Sequence, residues 1–376
     1  MRVLFFVNTP AHAHLYRNAV SRLAQAGHNP LVLARDYGCT VDILEYHNLP
    51  HDVYGYCGTS KGSLLARLPA HYARAMRRAR RFDPDLIFGM GGYAAHTGAV
   101  VGAPVVLLID SEATSLDHSV STPFARAVIT PDTFRERLCA DHYVFSSFKE
   151  CAYLHPEEYD PDPSIRDELD LEADEPYVIV RLNAFGSHHD VGKEGLTPDR
   201  RRRLIDELAS EATILVSDEG GDFDFDTVPA RPFDLHPARI HDALAEASLL
   251  VADTQTMVTE AALLGTPAIR SNSFVGESDM GNFLELEDRG LIYNESEFEA
   301  VLERATGLLQ DDGVAETWAQ RREAYLETKA NLTKVILETV SVRGHAPEVS
   351  SRRAFGSRKR APAREARMEG VPATQD

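Results

Sequence analysis

The sequence predicts an α/β protein made of two doubly wound, Rossmann-like domains with parallel sheets. Three observations lead there. Short apolar runs alternate with amphipathic helical stretches along most of the chain. Polar residues follow those runs at their carboxyl ends, where parallel sheets bind ligands. Between Lys149 and Pro176 the pattern gives way once to a segment rich in Glu, Asp and Pro. The expected organisation is a first domain over 1–148, a linker over 149–176, a second domain over 177–312, a C-terminal helix over 313–340 and a tail over 341–376.

Arg2–Val7 is an apolar strand, and Asn8 to His14 forms the turn after it. The following helix buries Leu15, Ala19, Leu23 and Ala26 on one face and stops at Gly27. Leu31–Ala34 is the next strand, and the right-handed crossover rule makes the pair parallel. Val53–Tyr56 is a third strand. Lys61–Arg81 is a helix with six arginines and no acidic residue. Two readings of it stand: a solvated basic face, or a surface over Arg67–Arg81 that meets anionic lipid or an anionic acceptor.

Asp85–Phe88 is a strand that leads into the glycine-rich turn Gly89 to His96, where Gly91 and Gly92 allow close approach of a ligand or a loop. Pro104–Ile109 is an apolar strand ending at Asp110, Ser111 and Glu112. Ala127–Thr130 and His142–Phe145 close the first domain. Tyr177–Leu182 opens the second, followed by a loop with Asn183 and His188. Pro198–Leu208 is a helix, Thr213–Ser217 a strand and Pro237–Ala247 a helix. Phe298–Leu309 is helical, and Ala315–Val340 reads as one long polar helix anchored by Trp318 and Tyr325. Beyond Ser341 large apolar residues nearly vanish, which predicts disorder.

The best candidate for a ligand site is the stretch from Ala252 to Arg270. A buried strand ends at Val251, a short helix begins with Thr254, Gln255 and Thr256 in its first turn, and Gly265 with Pro267 stops it. A helix that opens off a strand's carboxyl end presents free N–H groups and a positive dipole end, which suits a phosphate. Glu260, just inside, can accept from two ribose hydroxyls. The plain alternative is one more capped βαβ unit.

Composition narrows the field. The chain carries 58 acidic and 39 basic residues, for a net charge of −19, and only six of the basic residues are Lys. Such a charge argues against general nucleic-acid binding. An acidic surface poor in Lys resembles proteins of salt-loving archaea. If the charge is a high-salt adaptation, Tm should rise steadily from low salt to molar KCl, and a flat or falling melting curve series would refute it. Four cysteines without metal spacing point to a reduced, cytoplasmic protein. There is no apolar run long enough to span a membrane. His188, His189 and Asp190 are adjacent on a loop, a poor arrangement for a metal, and Asp222 to Asp226 reads as a surface turn. No GxGxxG, nucleophile elbow or Walker-type loop is present.

Asp253 and Thr254, then Glu260 and Ala261, then Leu264 to Pro267 resemble the nucleotide-sugar signature of GT-B glycosyltransferases and the related UDP-N-acetylglucosamine 2-epimerases. Gln255 and Thr256 stand where those families have glycines. From Arg2 to about Val340 the pattern resembles the domain of unknown function 354 family. The segments that carry this are Asn8 to His14, Asp110 to Glu112, Val128 to Pro131, Arg181 to Gly192 and Asp253 to Pro267. The resemblance implies a GT-B-like fold with the two domains facing across a cleft and the C-terminal helix bracing the first domain. It implies transfer of a sugar from a nucleotide-sugar donor, UDP-linked, to a glycan or lipid acceptor, with no further cofactor and no metal. Thr254, Gln255, Thr256, Glu260, Asn183, His188, Arg270, Gly91, Gly92 and Asp110 would bind substrate. His12, with His14 as substitute, would be the catalytic base, oriented by Glu112 or Asp110; a capping role for His12 is the competing reading. The 2-epimerases share Glu112 and Glu260 but have an Arg in the first βα turn and a Gly-Asp where this chain has Gly89 to Gly91, which ranks an epimerase or hydrolase second. A catalytically silent nucleotide-sugar-binding protein is the third reading.

Overall fold

The computed structural model describes residues 1–57, 61–110, 115–182, 195–221, 223–273, 275–276 and 279–344. In the first half, β1 (Arg2–Val7), α1 (Pro10–Gln25), β2 (Asn29–Asp36), α2 (Thr40–Tyr46), β3 (His51–Tyr56) and α3 (Lys61–Phe82) come first. They are followed by β4 (Leu86–Gly89), α4 (Gly92–Val101), β5 (Val105–Leu108), α5 (Ser115–Ser121), β6 (Ala127–Pro131), β7 (His142–Phe145) and α6 (Ile165–Glu168). The seven strands form one parallel sheet in the order β3-β2-β1-β4-β5-β6-β7. The second half holds β8 (Tyr177–Leu182), α7 (Pro198–Leu208), β9 (Thr213–Asp218), β10 (Arg231–Pro232), α8 (Ile240–Glu246) and β11 (Leu249–Ala252). Then come α9 (Thr256–Leu264), β12 (Ala268–Arg270), α10 (Gly281–Asp288), β13 (Ile292–Asn294), α11 (Phe298–Leu309), α12 (Val314–Leu326) and α13 (Leu332–Ser341). Its six-stranded sheet runs β10-β9-β8-β11-β12-β13.

Both orders reverse once, at β1/β4 and at β8/β11, and such switch points are where open α/β sheets bind ligands. The strands there are apolar throughout because helices cover both faces: β1 is buried from Val3 to Val7 and β11 along its length. Beside β11, α9 is buried on every side except its first turn, as expected of a helix apolar all round. Gly265 ends it at φ +87°, a left-handed conformation that favours glycine.

Two expectations change. Ala315–Val340 is two helices, not one. The chain breaks after Leu326, and Asn331 caps the restart by accepting from the Lys334 amide at 3.2 Å. The stretch expected as a linker is built into the protein: Cys151, Tyr153, Leu154 and Ile165 are fully buried. Most of its Glu, Asp and Pro residues are exposed, but Glu150 and the Glu158 side chain are buried with the apolar ones. From α13, Thr333 donates to the Ala152 carbonyl at 2.7 Å, and Val335, Ile336 and Val340 join a core that includes Leu15 and Tyr16 of α1. The C-terminal helix therefore braces the first domain. The same apolar core continues into Ala252, Val258 and Ala261 of the second. Residues 345–376, most of the expected disordered tail, lie outside the described residues.

Candidate functional site

On the first domain, the β1–α1 turn is held from three sides. The Asn8 amide donates to His12 Nδ1 at 3.3 Å, Tyr54 donates its hydroxyl to Asn8 Oδ1 at 2.8 Å, and Arg35 Nε donates to the Asn8 carbonyl at 3.0 Å. A backbone N–H can only donate, so Nδ1 of neutral His12 is the acceptor and Nε2 bears the hydrogen. Burial lowers the His12 pKa to about 4; Lys149 and Arg35 add to this and Asp110 opposes it. His12 is thus neutral at physiological pH, and in this tautomer its Nε2 can only donate.

Asp110 follows β5 and accepts from Lys149, whose Nζ also lies 3.5 Å from Glu150 Oε1. Burial alone would raise the Asp110 pKa, but the Lys149 ammonium outweighs it and holds the carboxyl below its usual range. For Glu150 burial wins. With Lys149 opposing and the Asp110 charge adding to burial, its pKa rises to about 7. Asp110, expected to orient His12, is engaged by Lys149 and lies close enough to oppose the lowering of the His12 pKa. The other proposed orienter, Glu112, lies outside the described residues, as do Asn183, His188 and the His188–Asp190 run.

The Glu150 shift has a testable sign. Its carboxyl binds a proton more tightly in the folded than in the unfolded chain, so its contribution to stability is present below about pH 4.5 and is lost as pH rises through about 7. Urea midpoints of Glu150→Gln and the native chain should therefore diverge in favour of the variant between pH 5 and pH 8. A constant difference would show that Glu150 does not titrate in that window.

Gly91 and Gly92 do make a close approach, but to protein. The Gly92 amide donates to Asp117 Oδ1 at 3.2 Å, and a Cβ on Gly91 would lie 2.3 Å from Asp117 Oδ2. A carboxylate from α5 occupies the start of α4.

On the second domain no described side chain caps the start of α9. Its cap residue Gln255 makes no side-chain capping bond, its first turn holds no acidic residue, and Gln255 and Thr256 are half-buried. Thr254 is buried, and its hydroxyl has no hydrogen-bond partner among the described residues. Asp253 faces inward, with Oδ2 accepting from the Leu196 amide at 3.4 Å and lying 3.8 Å from Arg201.

One turn on, Glu260 is buried and held firmly. Tyr153 donates to Oε1 at 2.7 Å and His241 Nε2 lies 3.0 Å from the same oxygen. Burial pushes its pKa up, but His241 and Tyr153 outweigh this, so the carboxyl stays ionised below its ordinary value. Both partners converge on Oε1, leaving Oε2 with no protein donor among the described residues.

His14 belongs to this cluster and not to the His12 turn. Its ring meets His241 edge-on at 4.5 Å, and Arg17 Nη1 donates to His14 Nδ1 at 3.2 Å and to His47 Nε2 at 3.3 Å. Burial, reinforced by His241 and Arg17, keeps the His14 pKa well below the ordinary value. Residues of α1, α2, the segment after β7 and α8 thus meet around Glu260. Arg270 is elsewhere. It is fully buried, bonded to Asp279 and, at 2.9 Å, to Asn294 Oδ1, with its guanidinium carbon 3.7 Å from the Phe283 ring centroid. It builds the second domain's interior. Asp224 caps a surface turn through the Asp226 amide at 3.1 Å.

Sequence reasoning did not find Lys149, Glu150, Tyr153 or His241. Lys149, Tyr153 and His241 meet Asp110 and Glu260 only through folding, and no local spacing marks them. The one available signal was that Lys149 is one of only six lysines and follows a strand end.

No family model matches the chain, and no curated protein does. Solved structures match along most of it. A UDP-GlcNAc 2-epimerase from Neisseria meningitidis bound to UDP-GlcNAc aligns with a TM-score of 0.65 at 13% identity, covering 91% of this chain and 100% of that one. The spinosyn forosaminyltransferase SpnP aligns at 0.62 and 16% identity over 92% and 100%. The glycosyltransferase SnogD from Streptomyces nogalater aligns at 0.59 and 18% identity over 92% and 99%. The chain therefore has the two-domain GT-B-like fold that these glycosyltransferases and epimerases share.

Proposed function

We propose that the protein is a glycosyltransferase that uses a nucleotide-sugar donor. The observation that carries this reading is the second domain's α9 terminus. It offers a helix start that no described side chain caps and a Thr254 hydroxyl without a partner among the described residues, with the Glu260 Oε2 carboxylate oxygen one turn inside. The terminus suits a diphosphate and the carboxylate suits ribose hydroxyls. Proteins of the same fold that bind UDP-GlcNAc or UDP-glucose support a UDP-linked donor. The helix dipole would hold the leaving diphosphate. The acceptor hydroxyl, on a glycan or lipid, would lie against the first domain near His12. The finer placement in the domain of unknown function 354 family rests on the segments that carry that resemblance.

His12 remains the proposed base. To accept a proton it must give up the 3.3 Å contact with the Asn8 amide, a long bond that costs little to break. His12→Ala should lower turnover by about a hundredfold or more with donor affinity intact. Because a base works unprotonated, the acid limb of kcat/KM should fall near the lowered pKa of about 4 and not near 6.5. Full turnover in the variant would take His12 out of the chemistry, and donor binding without turnover in the native chain would leave a binding protein.

A second reading, a nucleotide-sugar epimerase or hydrolase, is favoured by the half-buried Asp110–Lys149 pair and the buried Glu150 beside it. A carboxyl with a pKa of about 7 beside an ionised one is fit to move a proton in either direction. Incubating a UDP-sugar without acceptor distinguishes the two. Release of UDP or solvent deuterium in the recovered sugar supports the second, and an unchanged donor supports transfer.

A further inference from the structure

Helices α3, α4 and α5 form one layer on the first domain, and its outer face combines two features. In α3 the chain places six arginines and one lysine with no acidic residue, within a protein of net charge −19. The helix buries Ala75 and Ala79, so Arg67, Arg74, Arg77, Arg78, Arg80 and Arg81 are turned outward. Arg78 pairs with Asp52 at 3.3 Å and Arg67 lies over the exposed Tyr56 ring at 5.3 Å. Arg74, Arg77, Arg80 and Arg81 make no ion pair among the described residues.

Beside them lies an apolar strip. Leu116 is 78% exposed, Phe124 50%, and Val100 and Val120 each 44%. Leu116, Val120 and Phe124 recur at intervals of four along α5 and the turn after it, the spacing of one helical face. His96 of α4 ties the strip to the arginine helix. Its Nδ1 lies 2.8 Å from the Tyr72 hydroxyl of α3, its Nε2 lies 2.9 Å from the Val120 carbonyl, and its ring meets Phe124 edge-on at 5.2 Å. Singly scattered exposed apolar residues need no explanation, but four of them on α4, α5 and the turn after it, next to a helix of six arginines, do.

We propose that this face docks on an anionic lipid bilayer, the α3 arginines meeting the headgroups and Val100, Leu116, Val120 and Phe124 entering the interface. Charge decides among occupants. A nucleic acid would be met by the arginines and would leave the apolar strip in water. A second copy packed about a two-fold axis could set strip on strip, but that brings the two arginine helices towards each other. An anionic bilayer satisfies both.

The test is co-sedimentation of the full chain with phosphatidylcholine vesicles, with and without phosphatidylglycerol. The native chain should bind only the anionic vesicles. Each arginine near such a surface is worth about fivefold in partitioning, so Arg74→Glu/Arg77→Glu/Arg81→Glu should weaken binding about a hundredfold or more. Leu116→Ser/Phe124→Ser should weaken it about tenfold or more. All five positions are exposed, so both variants should keep the native Tm. Equal binding to neutral vesicles, or native-like binding by the arginine variant, would overturn the proposal. So would a self-association or nucleic-acid binding of the native chain that the same substitutions abolish while vesicle binding stays absent.

Discussion

Glu260→Ala should weaken nucleotide binding about ten- to a hundredfold and also lower Tm. The affinity loss follows from removing a carboxylate whose Oε2 is available to ribose hydroxyls, a charged hydrogen bond worth about 1.5–3 kcal/mol. From the sequence alone Glu260 is a candidate ribose-binding residue with nothing to tie it to stability. The structure changes that expectation, because the substitution also strips Tyr153 and His241 of their shared acceptor in a buried junction. An unsatisfied buried donor costs about 1–3 kcal/mol, or several degrees in a protein of this size. Tyr153→Phe separates the two effects. It removes one bond to Oε1 without touching Oε2, so Tm should fall while affinity changes less than about threefold. If Tyr153→Phe weakens binding as much as Glu260→Ala, the carboxylate acts only through the scaffold.

Arg270→Met should give the largest stability loss of any substitution considered, about 3–5 kcal/mol in urea unfolding. Burial lowers the Arg270 pKa to about 10, so the guanidinium is still charged at neutral pH, and its partner Asp279 has a side chain only 3% exposed. Removing the cation alone leaves that carboxylate buried and unpaired. Arg270→Met/Asp279→Leu should therefore recover much of the loss. Nucleotide affinity of the folded variant should stay within about threefold of native. A variant with native stability and a tenfold weaker affinity would put Arg270 at the ligand.

What the sequence made legible follows from which interactions are local. The β11–α9–β12 unit could be read because its buried strand, uncapped helix start and Gly265 stop all lie within twenty residues. The two parallel sheets were legible for the same reason: each strand announces itself as an apolar run. The Arg270 side chain could not be placed from sequence because a strand-end arginine looks the same whether it meets a ligand or, as here, Asp279 on the following loop. The continuous helix expected over Ala315–Val340 failed at Thr328 to Asn331, where the Ala330 amide leaves the helical ladder to donate to the Ser146 carbonyl at 2.8 Å. The contacts around Glu260 join α1, α8 and the segment after β7, and no periodicity in one sequence records such meetings.

The central claim is that the second domain holds a nucleotide sugar between the α9 terminus and Glu260. Calorimetric titration with UDP-, GDP-, CMP- and dTDP-sugars, on the native chain and on Glu260→Ala, tests it most directly. The account predicts saturable binding of one nucleotide class, UDP foremost, weakened about ten- to a hundredfold in the variant. No saturable binding by the native chain, or equal affinity in both proteins, would contradict it.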